Sequence, residues 1–134
     1  MQRRRPKDLV LIDARAFAER LSTAAFITDG LGKLVFYNEA AEQLIGLSFS
    51  EAGEMPAEEW GSLFTIRNVD GSPMELLDMP GGKALIEHKP AHGRMRIKPL
   101  DGSPDRTIEV TGLPIFTGEK EPAGIIALFW EDSE

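Results

Sequence analysis

The stretch from Phe26 to Gly46 constrains this chain more than any other part of it. Phe26-Ile27 and the run Leu34 to Tyr37 are aromatic and branched, the composition of half-buried strands. Between them Asp29-Gly30 and Gly32 supply a tight turn, because glycine reaches positive φ without a Cβ clash. Asn38 follows, placed to accept from the free N–H groups of a helix that it starts. Glu39 and Glu42 lie in the first turns of that helix, where negative charge suits its dipole. Strand, turn, strand and capped helix therefore succeed one another without a gap.

Later segments add to this frame. Pro80 opens a helix through Gly81, Lys83, Ala84, Leu85, Ile86 and Glu87, and Pro90 stops it, with Leu85 and Ile86 facing the sheet. Residues 94–98 and 107–111 alternate as strands: Met95, Ile97, Ile108 and Val110 point inward, while Arg94, Arg96 and Lys98 meet water. Arg96 is expected to pair with Glu109 across them. Gly124 to Trp130 is apolar at both alternating sets of positions, as in a strand covered on both faces. Asp-Gly-Ser-Pro occurs at 70–73 and again at 101–104, which is repeated turn chemistry and not an internal repeat. Residues 47–80 are irregular, with large apolar groups scattered among Gly, Pro and acidic residues.

The order and spacing of these pieces resemble a PAS domain: two strands around an Asp-x-x-Gly turn, Asn38 leading into Tyr37-x-x-Ala40-Ala41, a later helix containing Gly82-Lys83-Ala84-Leu85-Ile86-Glu87, and three further strands. The resemblance covers residues 22–131. It implies an α+β fold, a five-stranded antiparallel sheet with short helices on one face and a helix flanking it at the N-terminus. It also implies a sensory and interaction role more than a catalytic one.

Bulk properties fit one domain. The chain has 134 residues, 42% of them hydrophobic and 28% charged. Residues 1–8 read as a disordered basic start, and 9–21 as a flanking amphipathic helix whose stripe is Val10, Ala14, Phe17 and Leu21. The first twenty residues carry a net charge of +3 and the remainder −10. An acidic body is a poor nucleic-acid surface, so no nucleic acid is expected. No run has membrane-spanning length and no signal peptide is legible, which makes the cytoplasm the expected location and a membrane partner unexpected.

The absence of cysteine excludes disulfides, thiolate zinc sites and a cysteine nucleophile. Within the PAS resemblance it also removes the flavin and coumaric-acid chromophores that form cysteine adducts. Haem held through His88 is disfavoured, because that residue falls at the far end of its helix beside Lys89-Pro90. His88 and His92 cannot share a helix face with Pro90 between them, so no metal site is assigned. Glu51, Glu54, Glu58 and Glu59 read as a solvated acidic face. No nucleophile elbow or catalytic triad is present, and the chain is read as a non-enzyme.

What remains is a concave sheet closed by short helices. Strand parity and helix position give a candidate ligand lining of Phe36, Asn38, Leu44, Trp60, Phe64, Leu85, Met95, Ile97, Val110 and Leu128, with Tyr37 as a further polar group. A packed core made of the same side chains is the competing expectation. Val10, Phe17, Leu21, Ile125 and Phe129 are the candidate interface, in a homodimer or against a signalling protein. Two functions follow: a sensory or regulatory module that binds a small, mostly apolar ligand, or a ligand-free dimerisation and docking module in signal transduction or transcription regulation.

Overall fold

The computed structural model describes residues 6–118 and 121–132. Strands β1 (Ala24–Asp29) and β2 (Leu34–Tyr37) form the expected hairpin. Asp29 Oδ1 accepts from the backbone N–H groups of Leu31 and Lys33 at 2.9 and 3.0 Å, and Gly32 takes a φ of 85°. Helix α2 (Glu39–Ile45) follows directly, its Asn38 cap accepting from the Ala41 N–H at 3.0 Å. Two short helices, α3 (Phe49–Ala52) and α4 (Ala57–Leu63), and a single 3-10 turn (Leu76–Asp78) lead to helix α5 (Pro80–Glu87). Pro80 opens α5, where its missing N–H costs nothing; His88 closes it in the left-handed conformation, two residues before Pro90.

Strands β3 (Ala91–Ile97), β4 (Arg106–Phe116) and β5 (Pro122–Glu131) complete a five-stranded antiparallel sheet in the order β2-β1-β5-β4-β3. The last strand is thus inserted at the centre, paired with β1 through Ala25↔Leu128 and with β4 through Val110↔Phe129. Both faces of β5 are covered, as its unbroken apolar composition requires. The inner face carries the larger core, which joins Phe26, Tyr37, Trp60, Phe64, Met95, Ile108, Val110, Ile125, Ala127 and Phe129 beneath the helices.

Helix α1 (Pro6–Ala18) lies on the outer face, where Ala18, Ala25, Ile27 and Phe36 form a second cluster with Leu11, Ala14, Leu21, Ile126 and Leu128. The Arg15 guanidinium sits 4.4 Å from the Phe36 ring centroid and extends that cover. Residues 6–8, expected to be disordered, belong to this helix; residues 1–5 lie outside the described residues. Its packed stripe is Leu11, Ala14 and Ala18, not Val10, Ala14 and Phe17. Phe17 is 61% exposed.

Several side-chain placements also correct the sequence reading. Ile125 and Phe129 point inward, so Ile126 and Leu128 are the outer-face residues of β5. Phe36 faces α1, on the side away from the inner core. Ile86 is exposed, and Pro80 and Ala84 are the buried residues of α5. Glu109 pairs with Arg94 at 3.6 Å, whereas Arg96 stands opposite Thr107. The repeated tetrapeptide does make the same turn twice: Asp70 Oδ1 and Asp101 Oδ1 each accept from the N–H and hydroxyl of the serine two residues on, which holds both carboxyls below the usual range. Among the described residues no helix is long and apolar enough to cross a membrane.

Candidate functional site

A cavity of about 210 Å³ lies between the inner face of the sheet and the helices. Its floor is Phe26 and Thr28 of β1, Met95 and Ile97 of β3, Ile108 and Val110 of β4, and Ile125, Ala127 and Phe129 of β5. Trp60 and Phe64 of α4 close one side; Gly81, Gly82, Leu85 and Ile86 of α5, with Leu76, Leu77 and Met79 before it, close another. Its opening is marked by three lining residues that reach solvent: Leu31 is 91% exposed, Leu77 65% and Ile86 64%.

Close backbone approach sets the position of α5. A Cβ on Gly112 of β4 would stand 2.7 Å from the Pro80 carbonyl oxygen, and one on Gly82 would stand 2.1 Å from that of Leu76. Glycine at 112 lets the helix start sit directly on the sheet, and glycine at 82 lets the 3-10 turn fold back against the helix.

The aromatic end of the interior is ordered by polar tethers. The Trp60 indole N–H donates to the Gly32 carbonyl at 2.9 Å, joining α4 to the β1–β2 turn. Phe26 packs edge-on against Trp60 at 5.1 Å and against Phe64 at 6.2 Å between ring centroids. The Tyr37 hydroxyl donates to the Leu47 carbonyl at 2.8 Å; burial, with Glu42 and Glu51 nearby, pushes it up to about 12. These donors already have partners, so the depth of the cavity presents almost no free side-chain hydrogen-bond donor. Thr28 likewise donates its hydroxyl, to the Asp29 carbonyl at 3.0 Å.

Of the residues singled out from sequence, Trp60, Phe64, Leu85, Met95, Ile97 and Val110 are brought together around this cavity. Phe36 and Leu128 sit on the outer face, and Leu44 packs against the core without lining the cavity. Asn38 is buried and fully bonded elsewhere: Oδ1 accepts from the N–H groups of Ala25 and Ala41, both at 3.0 Å, and Nδ2 donates to the carbonyls of Ala18 and Thr23, both at 2.9 Å. It ties α1, β1 and α2 together. Of the interface set, Val10 and Leu21 are half-buried, Phe17 is exposed, and Ile125 and Phe129 line the cavity.

The ligand lining expected from sequence left out Phe26, Ile108 and Ala127, which line the cavity through strand register. Sequence reasoning also missed a polar cluster on the outer face. His92 Nε2 donates to the Glu109 carboxylate at 2.6 Å, Nδ1 lies 2.7 Å from the Thr111 hydroxyl, and Arg94 bonds Asp132. His88, at which haem is disfavoured from sequence, is exposed with its ring edge-on to Phe116 and does not line the cavity. Glu51, Glu54, Glu58 and Glu59 are all exposed, Glu54 paired with Lys33 at 3.2 Å.

No family model and no curated protein matches the sequence. Solved structures do match by shape. The PAS domain of a Colwellia psychrerythraea protein superposes with a TM-score of 0.66 at 22% identity, over 92% of this chain and 98% of that one. The PAS domain of the fruit-fly ELK potassium channel gives 0.69 at 11% identity over 92% and 98%, and that of Bordetella pertussis BvgS 0.61 at 15% over 92% and 86%. The chain has the PAS fold. The fold implied by Asn38, the Asp29 turn and the Tyr37-x-x-Ala40-Ala41 helix start is therefore the fold observed.

Proposed function

We propose that this chain is a non-catalytic sensory or regulatory module of the cytoplasm, which binds a small, mostly apolar ligand beneath its sheet and passes the bound state on through protein contacts. The observation that carries this is the cavity itself: about 210 Å³ lined almost wholly by apolar side chains and open past Leu31, Leu77 and Ile86. Small-molecule sites are typically concave and apolar with few polar groups. Like-folded domains occur in BvgS and in a potassium channel, which adds weight to a signalling role.

The route outward runs through the sheet. On β5, Ile125, Ala127 and Phe129 touch the cavity while Ile126 and Leu128 touch the cluster under α1. A ligand that binds one arrangement of this strand better than another shifts the seat of α1 by its differential affinity. A homodimer or a signalling partner would read that shift.

Toluene, small enough for the cavity, tests the ligand reading. Titration should move the backbone amide resonances of Val110, Ile108 and Leu85, and Val110→Phe should abolish the response while the protein stays folded. Unmoved resonances in the parent protein would refute it.

A second reading, a ligand-free dimerisation or docking module, is favoured by a separate observation. Leu9, Ile12 and Phe17 of α1 and Trp130 of β5 are large apolar side chains left exposed. Under this reading Phe17→Glu, Trp130→Glu or both lower the mass seen by sedimentation, with transcription or signalling output as the downstream readout.

A further inference from the structure

We infer that the ligand is an uncharged monocyclic aromatic compound, an alkylbenzene of about eight carbons whose ring seats against Phe26, Trp60 and Phe64. This rests on the reading of the cavity as a ligand site and narrows its chemistry.

Volume sets the size of the guest. A cavity of about 150 Å³ holds benzene, so the 210 Å³ here takes one ring and about two further carbons.

The lining sets its polarity. Lys98 follows β3 in phase with Arg94 and Arg96, on the water side, and no other lining residue carries a charge. The Trp60 indole N–H and the Thr28 hydroxyl are committed to the carbonyls of Gly32 and Asp29, at 2.9 and 3.0 Å. A carboxylate, ketone or ether carried inward gives up its water and meets no free side-chain donor in exchange. A hydrocarbon enters without that loss.

The rings favour an aromatic guest over a saturated one. Phe26 meets Trp60 at 5.1 Å and 70°, and Phe64 at 6.2 Å and 81°, and all three line the cavity. With planes so steep to one another, a flat guest that stacks on one ring meets another edge-on. Both are favourable arrangements of aromatic pairs. Met79 and Met95 also line the cavity, and a thioether sulfur packs well against a ring edge. A saturated guest of equal volume fills the space and gains neither kind of contact.

Three compounds test this by NMR titration of the full chain, read at the Val110, Ile108 and Leu85 amide resonances. They are ethylbenzene, methylcyclohexane of nearly the same molecular volume, and acetophenone, the ethylbenzene skeleton with a ketone oxygen. With each affinity corrected for the compound's own transfer from water to hexadecane, ethylbenzene should bind about fivefold tighter than methylcyclohexane. Without that correction, acetophenone should bind about tenfold more weakly than ethylbenzene, or worse. Nuclear Overhauser contacts should join the ring protons of bound ethylbenzene to those of Trp60 and Phe64. Equal corrected affinities for the two hydrocarbons, or bound ethylbenzene without those contacts, overturn the aromatic seat and leave the apolar cavity reading intact. Acetophenone binding as tightly as ethylbenzene overturns the exclusion of polar groups. If none of the three compounds moves these resonances, the inference and the ligand reading fail together.

Discussion

The side-chain nitrogen of Asn38 donates to the carbonyl of Ala18 at 2.9 Å, fastening the last residue of α1 to the residue that starts α2. The same side chain holds Thr23 and β1, so one buried amide fixes where the outer helix leaves the sheet. Each of its four hydrogen bonds uses a different backbone group.

Asn38→Ala should therefore cost about 3 kcal/mol, from a lost helix cap and from backbone groups left buried without partners. Asn38→Asp keeps the cap acceptor but turns a carboxylate oxygen toward the carbonyls of Ala18 and Thr23, so it should be no milder. Urea denaturation checks both, and an Asp variant as stable as the parent would show that the link to α1 contributes little.

Tyr37 gives a pH dependence with a definite sign. Its hydroxyl is raised from 10 to about 12 in the folded chain. Between those values the unfolded chain has lost the proton and the folded chain keeps it, so stability falls as pH rises through that window. Tyr37 is the only tyrosine, so phenolate absorbance reads it directly. Tyr37→Phe should remove the alkaline loss and cost about 1 kcal/mol at neutral pH, because the Leu47 carbonyl loses its donor.

The phase of α1 separates adjacent residues. Phe17→Glu, at an exposed site, should change the stability of the monomer by about 0.5 kcal/mol or less. Ala18→Glu places a charge against Ala25, Ile27 and Phe36 and should detach the helix or unfold the protein. Circular dichroism during thermal melting distinguishes the two.

Gly112→Ala should destabilise by about 1–3 kcal/mol, since its Cβ would press on the Pro80 carbonyl and lift α5 from the sheet. Gly118→Ala meets nothing within 4 Å and should stay within about 0.5 kcal/mol of the parent. Chemical denaturation of the pair measures the difference.

The parts of the fold legible in the sequence are those set by local chemistry. The Asn38 cap, the Asp29 turn, Pro80 at a helix start and the alternation Met95-Arg96-Ile97 each constrain a few adjacent residues. Side-chain direction was lost where both directions are apolar. In β5 every position from Ile125 to Phe129 is hydrophobic, so alternation carries no label for inside and outside, and Leu128 was exchanged with Ile125 and Phe129. In β2 the pairing with β1 slips between Ile27 and Thr28, which moves Phe36 off its expected face. In α1 Leu9, Val10, Leu11 and Ile12 are consecutive apolar residues, leaving the stripe undetermined by period alone. His92 and Glu109 meet only because β3 and β4 pair with His92 opposite Thr111, a register that no local signal encodes.

The central place of β5 bears on the time course of folding. The β1–β2 and β3–β4 pairs each join neighbours in sequence, but β1 and β4 share no edge until β5 fills the gap between them. Its pairing with β1 joins residues as distant as Ala25 and Leu128, a loop closure that is entropically costly and slow. During synthesis the two hairpins would thus emerge as separate fragments with open strand edges, exposed to mispairing or chaperone capture. The cavity, walled by Ile125, Ala127 and Phe129, comes into being only at the closing step, so a ligand could act on the finished domain but not guide the earlier stages of its assembly.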